Sequence, residues 1–248
     1  MQGVVNHLRP NSLAILAFSY ALSMPPRDRR ALGDPATGIR AVLFDFGGVL
    51  TASPFEAFDR YERDNDLPTG FIRSLNARDH HSNAWARLER NELSLQEFGR
   101  AFEAEAAGQG HRVEAAAILS LLGGELRPAM VEAVRRCRER YLVGLLTNNF
   151  LTASDDEERR PPDPQLAALL SLFDEVVESS RVGVRKPEAG FFEIACERLG
   201  IDPGEAVFLD DLGVNLKAAR AMGMRTIKVE SEAAALAELE EVLQLPLS

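Results

Sequence analysis

The chain has 248 residues, of which 46% are hydrophobic and 27% charged, enough for one generous globular domain or a core with a smaller insert. Its 38 Asp and Glu outweigh 28 Lys and Arg, a formal net charge of -10 that gives no electrostatic footprint for nucleic acid or an anionic membrane surface. An anionic small substrate is still compatible with it, because a single site can be locally positive.

The first 38 residues read as an extension, disordered or the product of a start assigned too early, with Met24 as the alternative start. Leu13–Met24 (LAILAFSYALSM) is apolar but too short to span a bilayer, and it lacks a clear small-x-small cleavage site. The stretch PPRDRRALGDPATG that follows reads as linker. Cys137 and Cys196 sit in helix-like segments without metal spacing, which suits a reducing cytoplasm.

From Ile39 the pattern becomes regular. Ala41–Phe46 (AVLFDF) is a short apolar run ending at an acid and two glycines, as a strand buried on both faces does. Similar runs recur at Leu142–Thr147, Glu175–Val177, Ala206–Leu209 and Thr226–Val229. Helical patterns separate them at Pro164–Leu172, Glu188–Leu199 and Leu212–Met222, the last two ending at Gly200 and Gly223 in the position of a left-handed helix exit. Strands alternating with helices predict an α/β fold with a Rossmann-like, mostly parallel sheet, whose ligands bind at the carboxyl ends of the strands.

Between the first two strands lies an inserted helical domain, residues 53–126, with the core expected over 39–52 and 127–248. Phe55–Asn65, Phe71–Arg78, Ala84–Arg90, Leu95–Ala107 and Val113–Leu122 favour helix, and Ser94 with Glu97 has capping-box spacing. Pro128 suits the first turn of a helix running to about Arg140. His80-His81 and Trp85 have no partner spacing and read as surface or packing residues. Ala153–Pro164 is polar and proline-rich, an expected loop.

Three strands end in reactive groups: Asp45, Thr147-Asn148-Asn149 and Asp210-Asp211, with Lys186-Pro187 before the helix between the last two. Singly, each is commonly a turn or cap residue; together, on one edge of a parallel sheet, they make a site. A carboxylate that attacks a phosphate ester needs positive charge nearby, and Mg²⁺ takes oxygen ligands from one or two carboxylates, phosphate and water. Asp45 and Asp211 can supply those carboxylates, with a carbonyl near Gly47 as a further ligand. Lys186 can neutralise phosphate charge and hold Asp210, while the Thr147 hydroxyl and the amides after it suit phosphoryl oxygens. Asn215, one helical turn beyond Asp211, can orient an acid or a metal-bound water.

These residues resemble the four motifs of the haloacid dehalogenase superfamily: Asp45-Phe46-Gly47-Gly48-Val49-Leu50-Thr51, Thr147-Asn148, Lys186-Pro187 and Asp210-Asp211, in that order. The segments GLLTNN, ESSRVGVRKPEAGFF and FLDDLGVNLKAARAMGMRTIKV are most similar to the phosphatase domain of soluble epoxide hydrolases and the matching domain of acyl-CoA dehydrogenase family member 10. The resemblance spans Ile39 to Val229 and implies a Rossmann-like core under a helical cap. It implies Asp45 as nucleophile, Thr147 and Asn148 as phosphate ligands and Lys186 as the stabiliser of a phospho-aspartate. Mg²⁺ would be held by Asp45, Asp211 and the backbone of Gly47, with Asp210 paired to Lys186. The expected activity is hydrolysis of a small phosphate monoester. One departure stands out: the family's phosphatases usually carry a second aspartate, a general acid, where this chain has Gly47. The alternatives are a phosphate-binding module without turnover and, less favoured, a 2-haloacid dehalogenase, which needs no metal. Oligomeric state has no signature in the sequence.

Overall fold

The strand β1 (Ala41–Phe44) carries no polar side chain and every residue in it is buried, as the central strand of a sheet covered on both faces requires. The computed structural model describes residues 28–29, 32–151 and 164–247. The apolar run Leu13–Met24 and the expected loop from Ala153 to residue 163 lie outside those described residues. After β1 come α1 (Phe55–Asp64), α2 (Phe71–Ala77), α3 (Ala84–Glu89), α4 (Leu95–Gly108), α5 (Ala115–Ser120) and α6 (Pro128–Arg140). The chain continues through β2 (Leu142–Thr147), α7 (Pro164–Leu170), β3 (Glu175–Glu178), the single turn α8 (Ser179–Val182) and α9 (Ala189–Leu199). It closes with β4 (Ala206–Asp210), α10 (Gly213–Ala221), β5 (Arg225–Lys228) and α11 (Glu232–Leu243).

The five strands pair in the order β3-β2-β1-β4-β5, all parallel. Alternate strand residues feed two cores. Val42, Phe44, Val143, Leu145, Val207 and Leu209 pack with α6, α7 and α11 on one face. Leu43, Leu142, Leu146 and Phe208 pack with α9 and α10 on the other. Gly144 lies on this second face because a Cβ there would come 2.8 Å from Leu43 Cδ2 and 3.2 Å from Leu199 Cδ1. Gly200 and Gly223 leave their helices at φ 69° and 101°, the left-handed exits expected of them. The helix α11 lies beyond the elements read from the sequence, and it buries Ala235, Leu239 and Leu243 as a stripe of every fourth residue. The described end of the extension is tied to the core: Gly33 N–H donates to the Arg140 carbonyl at 2.8 Å, and Asp34 bridges Ile39.

Helices α1 to α5 form an inserted cap with its own apolar centre, built on Phe58, Ile72, Phe98, Phe102 and Ile118. Ser94 and Glu97 make the anticipated capping box at the start of α4. Glu62 is a buried carboxylate in α1 that accepts from the Gly70 and Ile72 amides at 2.6 and 2.8 Å, fixing the start of α2. Trp85 stacks on Phe98 with ring centroids 4.8 Å apart, a packing residue as expected. The two crossings between cap and core run side by side: Ala52 N–H donates to the Glu125 carbonyl at 3.0 Å and Arg127 N–H to that of Leu50 at 2.9 Å.

A second set of contacts closes the cap over the sheet edge. Phe150, just past β2, packs into the cap centre. Glu89, the last residue of α3, accepts from Arg185 Nε at 2.5 Å and from Asn148 Nδ2 at 3.1 Å. Arg90 pairs with Glu188 at 3.0 Å, and Arg185 and Arg90 also donate to the carbonyls of His80 and His81.

Two outcomes test this architecture by urea denaturation. Gly144→Val should cost about 1–3 kcal/mol by overpacking, whereas Gly190→Ala, where an added Cβ meets nothing within 4 Å, should stabilise by up to about 1 kcal/mol. Glu89→Ala should cost about 1–3 kcal/mol, because it leaves Arg185 and one Asn148 amide hydrogen without their acceptor.

Candidate active site

Parallel registration puts the reactive residues together. Phe44 pairs with Leu145 on one side and Leu209 on the other, so Asp45 leaves the sheet between the ends of β2 and β4. The chain then makes one wide turn, Phe46–Leu50, closed by Thr51 N–H donating to the Phe46 carbonyl at 3.1 Å. Gly48 is required in this turn: its φ is +76°, and an added Cβ would overlap the Asp211 carboxylate. Gly47 has φ -71° and ψ 128°, with nothing within 4 Å of an added Cβ.

Lys186 is the centre of the site. It is 1% exposed, and its Nζ lies 2.6 Å from Asp45 Oδ1, 2.9 Å from Asp210 Oδ2 and 2.9 Å from the Leu146 carbonyl. Those three acceptors use the three hydrogens of an ammonium group. Asp210, fully buried, also accepts from Leu212 N–H at 2.7 Å and from Asn215 Nδ2 at 3.1 and 3.0 Å. Of the two roles open to Asn215 from sequence, orienting an acid is the one this geometry matches. Asp45 Oδ1 also accepts from Phe46 N–H at 2.7 Å, so both of these side-chain contacts use the same oxygen.

Thr147, Asn148 and Asn149 are fixed more heavily than their sequence suggests. Thr147 ends β2 with its side chain buried. Asn148 pairs with the backbone of Lys186: Nδ2 donates to its carbonyl at 3.0 Å and Oδ1 accepts from its N–H at 2.9 Å. Its remaining amide hydrogen goes to Glu89 of the cap. Asn149 N–H donates to Ser179 Oγ at 3.0 Å and its side chain to Glu178 at 2.8 Å, while Ser180 Oγ donates back to Asn149 Oδ1 at 2.8 Å. Burial holds the Glu178 carboxyl above the ordinary range despite Arg181 and Asn149. Nothing local in the sequence marks Glu89 as a supporting residue, and Glu178 and Ser179 meet their partner Asn149 only in the fold. Arg127 is a further one: its charge draws the Asp211 carboxyl down, and its buried Nη1 has no hydrogen-bond partner among the described residues.

The electrostatics show what the site lacks. Oxygens of Asp45, Asp210 and Asp211 all lie within 4.8 Å of one another, facing one ammonium. Burial pushes the Asp45 carboxyl up to about 8 against the pull of Lys186, with the charges of Asp210 and Asp211 adding to the rise. Burial and Asp210 push Asp211 up to about 6. Burial works against the Lys186 ammonium too, but Asp210 and Asp45 outweigh it and hold the group above the ordinary lysine range. Three carboxylates against one ammonium are short of positive charge, and an all-oxygen donor set is the kind a hard divalent cation accepts. The residues present therefore fit Mg²⁺.

Known proteins are similar to this chain to different extents. The chain is 38% identical over 217 residues to acyl-CoA dehydrogenase family member 10 of Mus musculus, covering 84% of this chain and 19% of that protein. It is 31% identical over 222 residues to bifunctional epoxide hydrolase 2 of Sus scrofa, covering 84% and 40%. The chain thus spans well under half the length of either relative. A protein of matching size, phosphatase MT3486 of Mycobacterium tuberculosis, is 30% identical over 204 residues, 77% of this chain and 88% of that one. Among solved structures, a haloacid dehalogenase family enzyme of Bacteroides thetaiotaomicron in complex with magnesium and inorganic phosphate shares the fold. Its TM-score is 0.51 at 22% identity, over 79% of this chain and 98% of that one. Among the described residues no helix is long and apolar enough to cross a membrane. A family model for haloacid dehalogenase-like hydrolases matches residues 39–223, and the chain belongs to that family of hydrolases.

Proposed function

We propose that this hydrolase is a Mg²⁺-dependent phosphatase that works on a small phosphate monoester through a phospho-Asp45 intermediate. The observation that carries the reading is the buried Lys186 ammonium shared between Asp45 and Asp210, with Asp211 beside them. The phosphatase relative of matching size supports it.

Asp45 Oδ2 attacks phosphorus; the bond from phosphorus to the ester oxygen breaks and its electron pair leaves with that oxygen. Lys186 keeps Asp45 in place and balances the charge gathering on the phosphoryl group. The Thr147 hydroxyl takes a phosphoryl oxygen, and Asn148 contributes through its backbone while its side chain sets the position of Lys186. Water then attacks the phospho-aspartate, and breaking its acyl–oxygen link to phosphorus restores the Asp45 carboxylate and frees inorganic phosphate. Asp45, Asp211 and the Gly47 carbonyl would hold the cation, which supplies the positive charge that brings an anionic substrate to an anionic nucleophile. Asp210 serves as an anchor for Lys186 and is itself oriented by Asn215.

Turnover of para-nitrophenyl phosphate should require Mg²⁺, stop on chelation, and be abolished in Asp45→Asn while the thermal melt remains cooperative. Turnover that persists in Asp45→Asn would sink the reading, and metal-independent release of halide from 2-haloacids would replace it. Gly48→Ala should displace Asp211 and remove most of the rise in Tm that Mg²⁺ gives the unaltered protein.

A further inference from the structure

We infer that the substrates are activated phosphates, acyl phosphates foremost and then aryl or enol phosphates, whose leaving oxygen departs as a stable anion without taking a proton. The inference rests on the phosphatase reading above and goes on to name its substrate class. A phosphoryl-transfer site built for an alkyl ester needs a proton donor aimed at the leaving oxygen, because an alkoxide is a poor leaving group. At this sheet edge the described carboxyl and ammonium groups that could give a proton are engaged elsewhere, and the Arg127 guanidinium does not give one up. The three hydrogens of Lys186 point to Leu146, Asp45 and Asp210. Asp210 is enclosed by Lys186, Leu212 and Asn215. Glu89, a cap carboxylate in contact with Asn148, is ion-paired to Arg185 and accepts from the Asn148 amide, which holds it as an acceptor. Asp211 belongs to the three-carboxylate cluster that, on the reading above, holds the cation. Gly47, two residues after the nucleophile, brings no side chain, although the backbone and the space around it would take one.

With an acyl phosphate the reaction balances without any acid. Asp45 Oδ2 bonds to phosphorus as the bond from phosphorus to the acyl oxygen breaks, and the electron pair leaves as a carboxylate. One water then adds to phosphorus as its bond to Asp45 breaks, and both protons of that water leave on the dihydrogen phosphate product. No oxidant, reductant or second substrate enters.

The test is the dependence of kcat/KM on leaving group with Mg²⁺ present, for acetyl, para-nitrophenyl, phenyl and ethyl phosphate. The expected result is a steep fall, about 10²–10⁴-fold or more from the aryl to the alkyl ester. Gly47→Asp should shrink that ratio by raising the ethyl phosphate rate relative to acetyl phosphate, with Gly47→Asn, which cannot donate as an acid, leaving it steep. Thermal melts of both variants report folding, and the slope of the unaltered protein decides the matter if either fails to fold. A shallow slope in the unaltered protein would overturn the inference while leaving the phosphatase reading intact. A shallow slope that steepens in the His80→Ala, His81→Ala double variant would overturn it by identifying the acid on the cap rim. Absence of turnover with every donor, acetyl phosphate included, would instead remove the phosphatase reading and this inference with it.

Discussion

One buried ammonium organises this molecule. Lys186 arrives from a loop, passes beneath the carboxyl edge of the sheet and meets the Leu146 carbonyl, Asp45 and Asp210. A lone cation at that depth carries a desolvation penalty of several kcal/mol, and so does each carboxylate. Only their mutual arrangement makes burial tolerable, and the arrangement requires β2, β1 and β4 to lie side by side in parallel register. Sheet order and site geometry are therefore a single constraint. A shift of one residue in β1 would turn Asp45 away from Lys186 and send Phe44 to the opposite core.

The surrounding polar groups serve that ammonium at one remove. Asn148 reads both backbone groups of Lys186 and fixes the loop that delivers it. Asn215 and the Leu212 amide occupy the oxygens of Asp210, so that residue remains an anchor. Asn149, Glu178, Ser179 and Ser180 bind the end of β2 to the end of β3, which makes that stretch of the sheet edge rigid. Buried polar groups left partly satisfied would weaken the core; here most are paired, and the network supports a defined geometry for charge.

Much of this was legible in the sequence because it is local. Apolar runs ending in an acid, glycines at helix exits, the Ser94–Glu97 box and the order of the strand-end residues each follow from short-range chemistry. The parallel sheet then brings Asp45, Thr147, Lys186 and Asp211 to one edge. Glu89 was invisible for the opposite reason: it ends a cap helix, lies 96 residues from Arg185, and acquires meaning only when the cap is folded down. Arg127 and Glu178 are of the same kind. The helix α11 was missed because a stripe of small and aliphatic residues among many glutamates gives little contrast between its faces.

The cap completes the argument about charge. Its interior is apolar, yet its rim meets the core through Glu89 with Arg185 and Arg90 with Glu188, pairs whose side chains are only 14–26% exposed. Glu89 carries this rim contact inward, because the Asn148 amide it accepts from is the one that sets Lys186. Without the cap Asn148 and Arg185 would lose this acceptor together, so seating of the cap and ordering of the Asn148 side chain favour each other. The same contact holds Glu89 as an acceptor, ion-paired to Arg185 and bonded to Asn148. The seated cap thereby ties its rim to the loop that carries Lys186, so that cap and buried charge cluster are ordered as one unit.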